Sequence, residues 1–386
     1  MFQRLPSITE ALQALTALCP PIQRIESLPL VDSPGRVLSS DITSQANLPD
    51  FNRAAMDGYA VRSQDTRGVS TQAPVYLDQG ESALPIRTGL EVPEGFDAVV
   101  MLEDTVVRGR EVEVMAEVHK GRNVSPVGED VKVGDVILKE GHRLRPPDIA
   151  LLAALGIKEV QVYVKPKVAI IPTGGELVPR GSRPLKPSEV YETNGLMTEL
   201  YARIWGCEPR LLGVVPDDPD KIVEAVKSSL DADMVVIIGG TSVGEKDYAP
   251  RVVGSMGKLL IHGIRMAPGK PTTMGSIRDK PVICLPGYPV ATFTALYLLV
   301  RPGLKRMAHL PEAITSVRAN LARKIPSRPG YVSLSRVALV REEAMPIMTS
   351  GSGILSSIAR ADGFVIVPEG LEGFEPGEIV DVMMIE

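Results

Sequence analysis

Four short stretches combine small residues, hydroxyls and charges in a way that suits the handling of an anion. Thr173-Gly174-Gly175-Glu176 sets a hydroxyl and a carboxylate on either side of two glycines. Gly239-Gly240-Thr241-Ser242-Val243-Gly244-Glu245-Lys246-Asp247 adds two hydroxyls, two acids and a lysine. Ala267-Pro268-Gly269-Lys270-Pro271 holds a lysine between prolines, with Arg265 shortly before it, and Pro286-Gly287-Tyr288-Pro289 stiffens a fourth loop. Backbone N–H groups in such turns and at helix starts favour phosphates and similar oxyanions. Carboxylates beside them suit a bridging divalent cation, Mg²⁺ above all. A single glycine-rich turn says little; several at one edge say more.

Three acids need a second reading. Asp218, followed by Pro219, fits a helix N-cap with proline at the first position, which leaves Asp217 as the better candidate ligand. Glu176 is open to a capping role as well as a ligating one. In Asn52-Arg53-Ala54-Ala55-Met56-Asp57-Gly58-Tyr59, Asp57 reads equally as a turn acid and as a carboxylate that a ligand or a neighbouring backbone approaches closely. The chain carries no G-x-S-x-G elbow, no G-x-x-x-x-G-K-[ST] loop and no H-E-x-x-H pair, so the chemistry indicated is metal-assisted handling of a phosphorylated ligand.

The elements that must position these loops have a regular order. Apolar strands Val168–Ile171, Met234–Ile238 and Val282–Leu285 each run into one of the loops. Helices follow: Gly195 to Trp205, with Asn194 as N-cap and Leu196, Leu200, Tyr201 and Ile204 on one face; another opened by Asp218; a third from Pro289 through Val300. A strand over Leu211–Val215 lies between the first two. Strand, glycine turn, helix predicts a doubly wound parallel sheet, with ligand at the carboxyl ends of its strands.

The remaining chain predicts three further regions around this α/β domain of residues 166–304. An α+β body takes residues 1–48 and 131–165, with a helix over Pro147–Leu155, and a β-rich lobe is inserted at 49–130. A small β-barrel or sandwich occupies 305–386. At the start, Ser7 and Glu10 make a capping box ahead of an apolar face of Ile8, Ala11, Leu12, Leu15 and Leu18.

Composition narrows the partners. The formal net charge of the 386 residues is −5, which gives no global attraction to nucleic acid or to an anionic membrane. The three cysteines and four histidines are scattered without zinc spacing, which suits reduced thiols in a cytoplasmic protein. The best apolar run, Ala291 to Val300, stops at Arg301-Pro302, far short of a membrane span, and no secretion signal opens the chain.

Taken together, LPDFNRAAMDGYAV, RTG at Arg87–Gly89, GED at Gly128–Asp130, TGGEL, ETNG, DDP at Asp217–Pro219, GGTSVGEKDY, PGKP and LPGYPV resemble the MoeA family in sequence order. That family comprises the molybdopterin molybdenumtransferases and includes the E domain of gephyrin. The tail GSGILSSIARADGFVIVPEG resembles its last domain, so the likeness covers nearly the whole chain. It implies a homodimer of four-domain subunits whose α/β domain binds molybdopterin and is similar to the stand-alone MoaB/MogA adenylyltransferases. It implies insertion of molybdate or tungstate into adenylylated molybdopterin, with Mg²⁺ and release of AMP.

Carried onto this sequence, the resemblance implies catalytic roles for Asp57 and Thr88 from one subunit and for Glu176, Asp217 and Asp247 from the other, the last three also serving the metal. Thr173, Gly174, Gly239, Gly240, Ser242, Gly244, Arg265, Lys270, Pro286 and Pro289 would bind the substrate. The molybdopterin adenylyltransferase and molybdoenzyme chaperones are the expected protein partners. Two departures stand out: Gly175 replaces an acidic or amide residue, and Ala267 replaces a basic residue before PGKP, for which Arg265 would compensate from the same face of an extended segment. They leave open a non-catalytic paralogue that binds molybdopterin or acts as a scaffold. Adenylylation of molybdopterin is a third reading, disfavoured by the extra domains.

Overall fold

The computed structural model of the protein describes residues 5–241, 248–348 and 351–386. The chain forms two compact units, one of residues 1–26 with 163–386 and one of residues 27–162. Among the described residues no helix is long and apolar enough to cross a membrane.

Helix α1 (Ile8–Leu18) opens with the expected capping box: Glu10 N donates to Ser7 Oγ at 3.1 Å, and Ser7 N to the Glu10 carboxylate at 2.6 Å. Its face of Ala11 and Leu15 is buried in the main core of the first unit.

The second unit is mostly short antiparallel strands. Strands β1 (Gly58–Val61), β2 (Val75–Asp78), β3 (Ala83–Ile86), β4 (Ala98–Met101), β5 (Thr105–Arg108) and β6 (Glu111–Val114) make two three-stranded sheets, ordered β3-β1-β4 and β2-β6-β5. Tyr59, Val61, Leu77, Val100, Val112 and Val114 are buried together between them. A separate small core of Leu30, Leu38, Leu144, Leu152, Val160 and Val162 lies under helix α2 (Pro146–Ala154). Asp148 accepts from Arg145 N at 2.8 Å and pairs with the Arg145 guanidinium and His142, closing the start of that helix.

In the first unit, strands and helices alternate as β7 (Lys167–Pro172), α3 (Asn194–Ile204), β8 (Glu208–Leu211), α4 (Pro219–Lys227), β9 (Met234–Ile238), α5 (Tyr248–Met256), β10 (Lys258–His262), β11 (Thr273–Ile277) and β12 (Lys280–Leu285). The sheet order is β8-β7-β9-β12-β11-β10. The first four are parallel, as the alternation predicts, while β11 and β10 add an antiparallel edge. Arg278 and Asp279, both at positive φ, make the tight β11–β12 turn that reverses the chain.

Helix α3 differs from its expected face. Its buried residues are Gly195, Thr198 and Ala202, whereas Leu200 and Ile204 are about half exposed. The reason is close approach: a Cβ on Gly195 would lie 2.8 Å from Leu211 Cδ1, so small residues face the sheet. The N-cap is Thr193, and Asn194 is already helical.

Helix α6 (Pro289–Ala295) passes through a π turn at Leu296–Val300 into α7 (Arg301–Met307), so the apolar run does not end its helix at Pro302. The wider turn spares the ladder the N–H that proline lacks and the clash its ring would make. Arg301, fully buried, donates to Glu312 O and Ala313 O and pairs with Glu386 at 2.8 Å. Beyond it, β13 (Ser316–Leu321), β14 (Val332–Val340), β15 (Glu343–Met348), β16 (Gly363–Val367) and β17 (Ile379–Met384) close a five-stranded barrel in the order β14-β15-β13-β17-β16, with β16 returning to β14. Val337, Ala344, Val365, Val380 and Val382 fill its interior. Met266 and Ala267 pair in parallel with Val332 and Ser333 and thereby join the barrel to the α/β layer.

Candidate active site

The carboxyl ends of β7, β9 and β12 are drawn together by main-chain bonds. Thr173 N donates to Ile238 O at 2.7 Å, and Gly239 N to Leu285 O at 3.0 Å. Val215 N donates to Pro172 O at 2.9 Å and Gly174 N to Val215 O at 3.3 Å. Gly239 is obligatory: its φ is +99°, and a Cβ there would lie 2.1 Å from Thr173 O. The N–H groups of Thr173 and Gly174 are therefore spent on cross-loop bonds and do not form the open anion cradle that the glycines suggest.

Asp218 caps α4 by accepting from Asp220 N and Lys221 N, as its sequence position predicts. Asp217 is held differently. Thr173 Oγ1 donates to its Oδ1 at 2.9 Å and Gly175 N to its Oδ2 at 3.3 Å. Each carboxylate oxygen keeps a lone pair for a further ligand. Thr173 is buried, so its hydroxyl serves Asp217 rather than a substrate directly.

Glu176 is exposed and caps no helix, because Leu177–Val178 enter a short parallel pairing with Val190–Tyr191. Its Oε1 lies 3.1 Å from where a Cβ on Gly174 would be, so the bare glycine lets the carboxylate fold back over this loop. Ser242, Gly244, Glu245, Lys246 and Asp247 lie outside the described residues. Gly240, at φ +61°, packs beside Thr173 and Ala249.

The fourth loop meets the same edge. Gly287 sits against Gly239, where an added Cβ would be 3.8 Å from the Gly239 Cα, and Asn194 Nδ2 donates to Gly287 O at 2.7 Å. Pro286 lends its carbonyl to Thr292 Oγ1 at 2.6 Å, and Pro289 starts α6. Sequence reasoning quoted ETNG but gave Glu192 no role; its buried carboxylate accepts from Gly195 N at the start of α3 and lies 3.7 Å from Arg180. An acid just ahead of Thr193-Asn194-Gly195 is the signal that could have found it.

The Ala267–Pro268 peptide is cis, and Gly269 at φ +119° turns the chain so that its carbonyl accepts from Thr272 N and Oγ1. Lys270 O accepts from Ile264 N at 2.9 Å. Between this loop and the barrel lies a cavity of about 420 Å³, lined in part by Pro268, Ser327, Arg328, Ser335, Arg336 and Ser352. Arg336 is 3% exposed, and burial pulls its guanidinium below the usual arginine range. Ser335 Oγ is buried without a hydrogen-bond partner among the described residues. Arg265, by contrast, pairs with Glu369 at 3.2 Å. The cavity's arginines thus come from the barrel strand Ser333-Leu334-Ser335-Arg336 and its preceding turn, which the sequence reading did not single out.

In the second unit, Asp57 lies just before β1. Thr88 donates to its Oδ1 from the backbone at 2.7 Å and from Oγ1 at 2.8 Å, and these bonds hold the carboxyl below its usual range. Asp57 and Thr88 are both exposed. Gly58 makes no turn: a Cβ there would lie 1.8 Å from Val100 O, so the glycine serves the close approach of β4. Among the described residues no group of three or more His, Cys, Asp or Glu side chains forms a metal cage.

The arrangement matches known proteins along its length. Residues 6–156 match the family model "MoeA N-terminal region (domain I and II)", residues 169–306 "Probable molybdopterin binding domain", and residues 318–385 "MoeA C-terminal region (domain IV)". A crystal structure of a molybdopterin biosynthesis MoeA protein from Pyrococcus horikoshii superposes with a TM-score of 0.86 at 35% identity, covering 99% of each chain. The "Molybdopterin molybdenumtransferase" of Staphylococcus epidermidis is 31% identical over 98% of this chain and 96% of its own. A relative from Methanocaldococcus jannaschii, named as a putative molybdopterin biosynthesis protein, is 36% identical over 94% of this chain and 93% of its own. The chain belongs to the MoeA family.

Proposed function

We propose that the protein is a molybdopterin molybdenumtransferase, inserting molybdate or tungstate into adenylylated molybdopterin with release of AMP. The observation that carries this reading is a pre-set carboxylate, Asp217, on a sheet edge whose fourth loop adjoins a cavity built from buried arginine and serine. Val290 N donates to Ser352 O at 2.9 Å, which ties that loop to the cavity wall. Arg336 and the serines suit a tetrahedral dianion through charge-assisted hydrogen bonds. Arg328, held over the Tyr331 ring at 4.5 Å, adds a second cation.

The donor set fits Mg²⁺, which keeps several waters and takes one or two carboxylates plus substrate phosphates rather than a full protein cage. Asp217 and Glu176 would hold it, with Asp247 as a further ligand. When bound, the ion polarises the phosphoanhydride. The chain's own part is to fix the Asp217 carboxylate, to present cations where charge develops, and to exclude a protein nucleophile that the reaction does not need. Lys270 joins the anion-binding groups in this reading.

Asp57 and Thr88 act on the same substrate from a second copy in a homodimer. Their exposure, with Asp57 held by two bonds from Thr88, supports a role toward a ligand brought by another surface. Domain boundaries near residues 130, 165 and 304 and a cytoplasmic setting belong to the same proposal, whereas residues 1–26, expected in the N-terminal body, pack with the α/β unit instead. Buried Cys19, Cys207 and Cys284, which form no disulfide, agree with that setting.

The test is AMP release from adenylylated molybdopterin with Mg²⁺ and molybdate, repeated with tungstate and with Asp217→Asn. Oxyanion-dependent release that the variant loses supports the transferase. Tight binding without release instead supports a binding or scaffold protein, and ATP consumption with free molybdopterin supports an adenylyltransferase.

A further inference from the structure

We infer that the ring of Tyr288 is the stacking platform for a planar heteroaromatic ring of the substrate, the pterin or the adenine. This inference rests on the site holding adenylylated molybdopterin. Tyr288 is 66% exposed, more than Tyr76 at 51% or Tyr191 at 38%. The neighbouring aromatics Phe293, Tyr297 and Trp205 are buried in the core. Single exposed apolar side chains are ordinary on protein surfaces. Placement and fixation set this one apart.

Tyr288 stands where the sheet edge meets the arginine-lined cavity. The residue before it, Gly287, packs on Gly239, and the Gly287 carbonyl is held by Asn194. The Tyr288 carbonyl accepts from Thr292 N at 2.9 Å and Thr292 Oγ1 at 3.1 Å. Prolines flank the Gly287-Tyr288 pair on both sides. The ring itself lies against bare backbone: a Cβ on Gly353 would be 3.5 Å from Tyr288 Cδ1 and 3.8 Å from Cε1. Gly353 follows Gly351 and Ser352, which wall the cavity.

A substrate with an anionic group in the cavity therefore has a flat ring on a fixed backbone near it. An aromatic with two side-chain torsions on a clamped backbone loses little freedom when a second ring stacks on it.

The test is equilibrium binding of two separate probes, AMP and pterin-6-carboxylate, to the full chain and to Tyr288→Phe, Tyr288→Leu and Tyr288→Ala. Hypochromism of the probe reports stacking. One probe should bind about tenfold more weakly to the Leu and Ala variants and normally to the Phe variant, as loss of a stacking energy of about 1.4 kcal/mol requires. The probe that weakens identifies the ring. Equal binding of both probes to all four proteins overturns the inference and leaves the function untouched. Failure of the wild type to bind either probe overturns both.

Discussion

Replacing Thr173 by valine keeps the shape of the side chain and removes one hydroxyl. That hydroxyl makes the shorter of the two bonds to Asp217, 2.9 Å against 3.3 Å from Gly175 N. A hydrogen bond to a charged group contributes about 1.5–3 kcal/mol when buried. Asp217 is only partly buried, so the lower figure applies to stability, about 1.5 kcal/mol. On the proposal that Asp217 holds Mg²⁺, the effect on function is larger in proportion, because removing a partner that orients a metal ligand typically costs about 10–100-fold in metal affinity. The assay is AMP release as a function of Mg²⁺ concentration, with urea unfolding measured alongside. Thr173→Val should raise the half-saturating Mg²⁺ by about tenfold or more, and Thr173→Ser should restore most of it. An unchanged Mg²⁺ dependence in a folded Thr173→Val protein would refute the positioning of Asp217 by Thr173.

Two other outcomes follow from the geometry and a third from the proposed dimer. Gly239→Ala forces a Cβ to within 2.1 Å of Thr173 O at φ +99°, which should cost about 3 kcal/mol and lower the urea midpoint. For Glu386, burial raises the carboxyl pKa, but hydrogen bonds and charge from Arg301 and Lys305 outweigh it and hold the group at about 2. Its stabilisation is complete above the ordinary carboxylate range and is lost as pH falls toward about 2, so Glu386→Gln should flatten the fall in unfolding midpoint across that window. If Asp57 and Asp217 are both required, as proposed, mixing Asp57→Asn with Asp217→Asn should restore about a quarter of wild-type AMP release when the sites are built in trans in a symmetric dimer, and none when they are built in cis.

The α/β layer was legible because its parallel strands are buried on both faces and read as unbroken apolar runs. Asp218 was legible because cap and proline occur together. The faces of α3 were not: large apolar residues suggested the core side, but sheet contact selects the smallest side chains. The antiparallel edge was hidden because β10 alternates poorly and exposes Leu259 and Leu260. The cavity's arginines were hidden for a different reason. Arg336 follows Ser335 on one barrel strand and lines the same cavity as the cis-proline loop, which lies some 70 residues away in sequence. No local pattern marks such a meeting. The order of motifs carried the family, and the folded chain supplied what each loop touches.

The ladder between Met266–Ala267 and Val332–Ser333 has a consequence for recombination. Barrel and loop share backbone bonds, so replacing one without the other disturbs the register of both. A chimera that exchanges the barrel alone would need the donor strand to keep register with a foreign loop, while one that exchanges both from Arg265 onward would carry the cavity walls intact. A change in the shape of the cavity therefore calls for paired change on both strands, because either strand replaced alone must still fit the other.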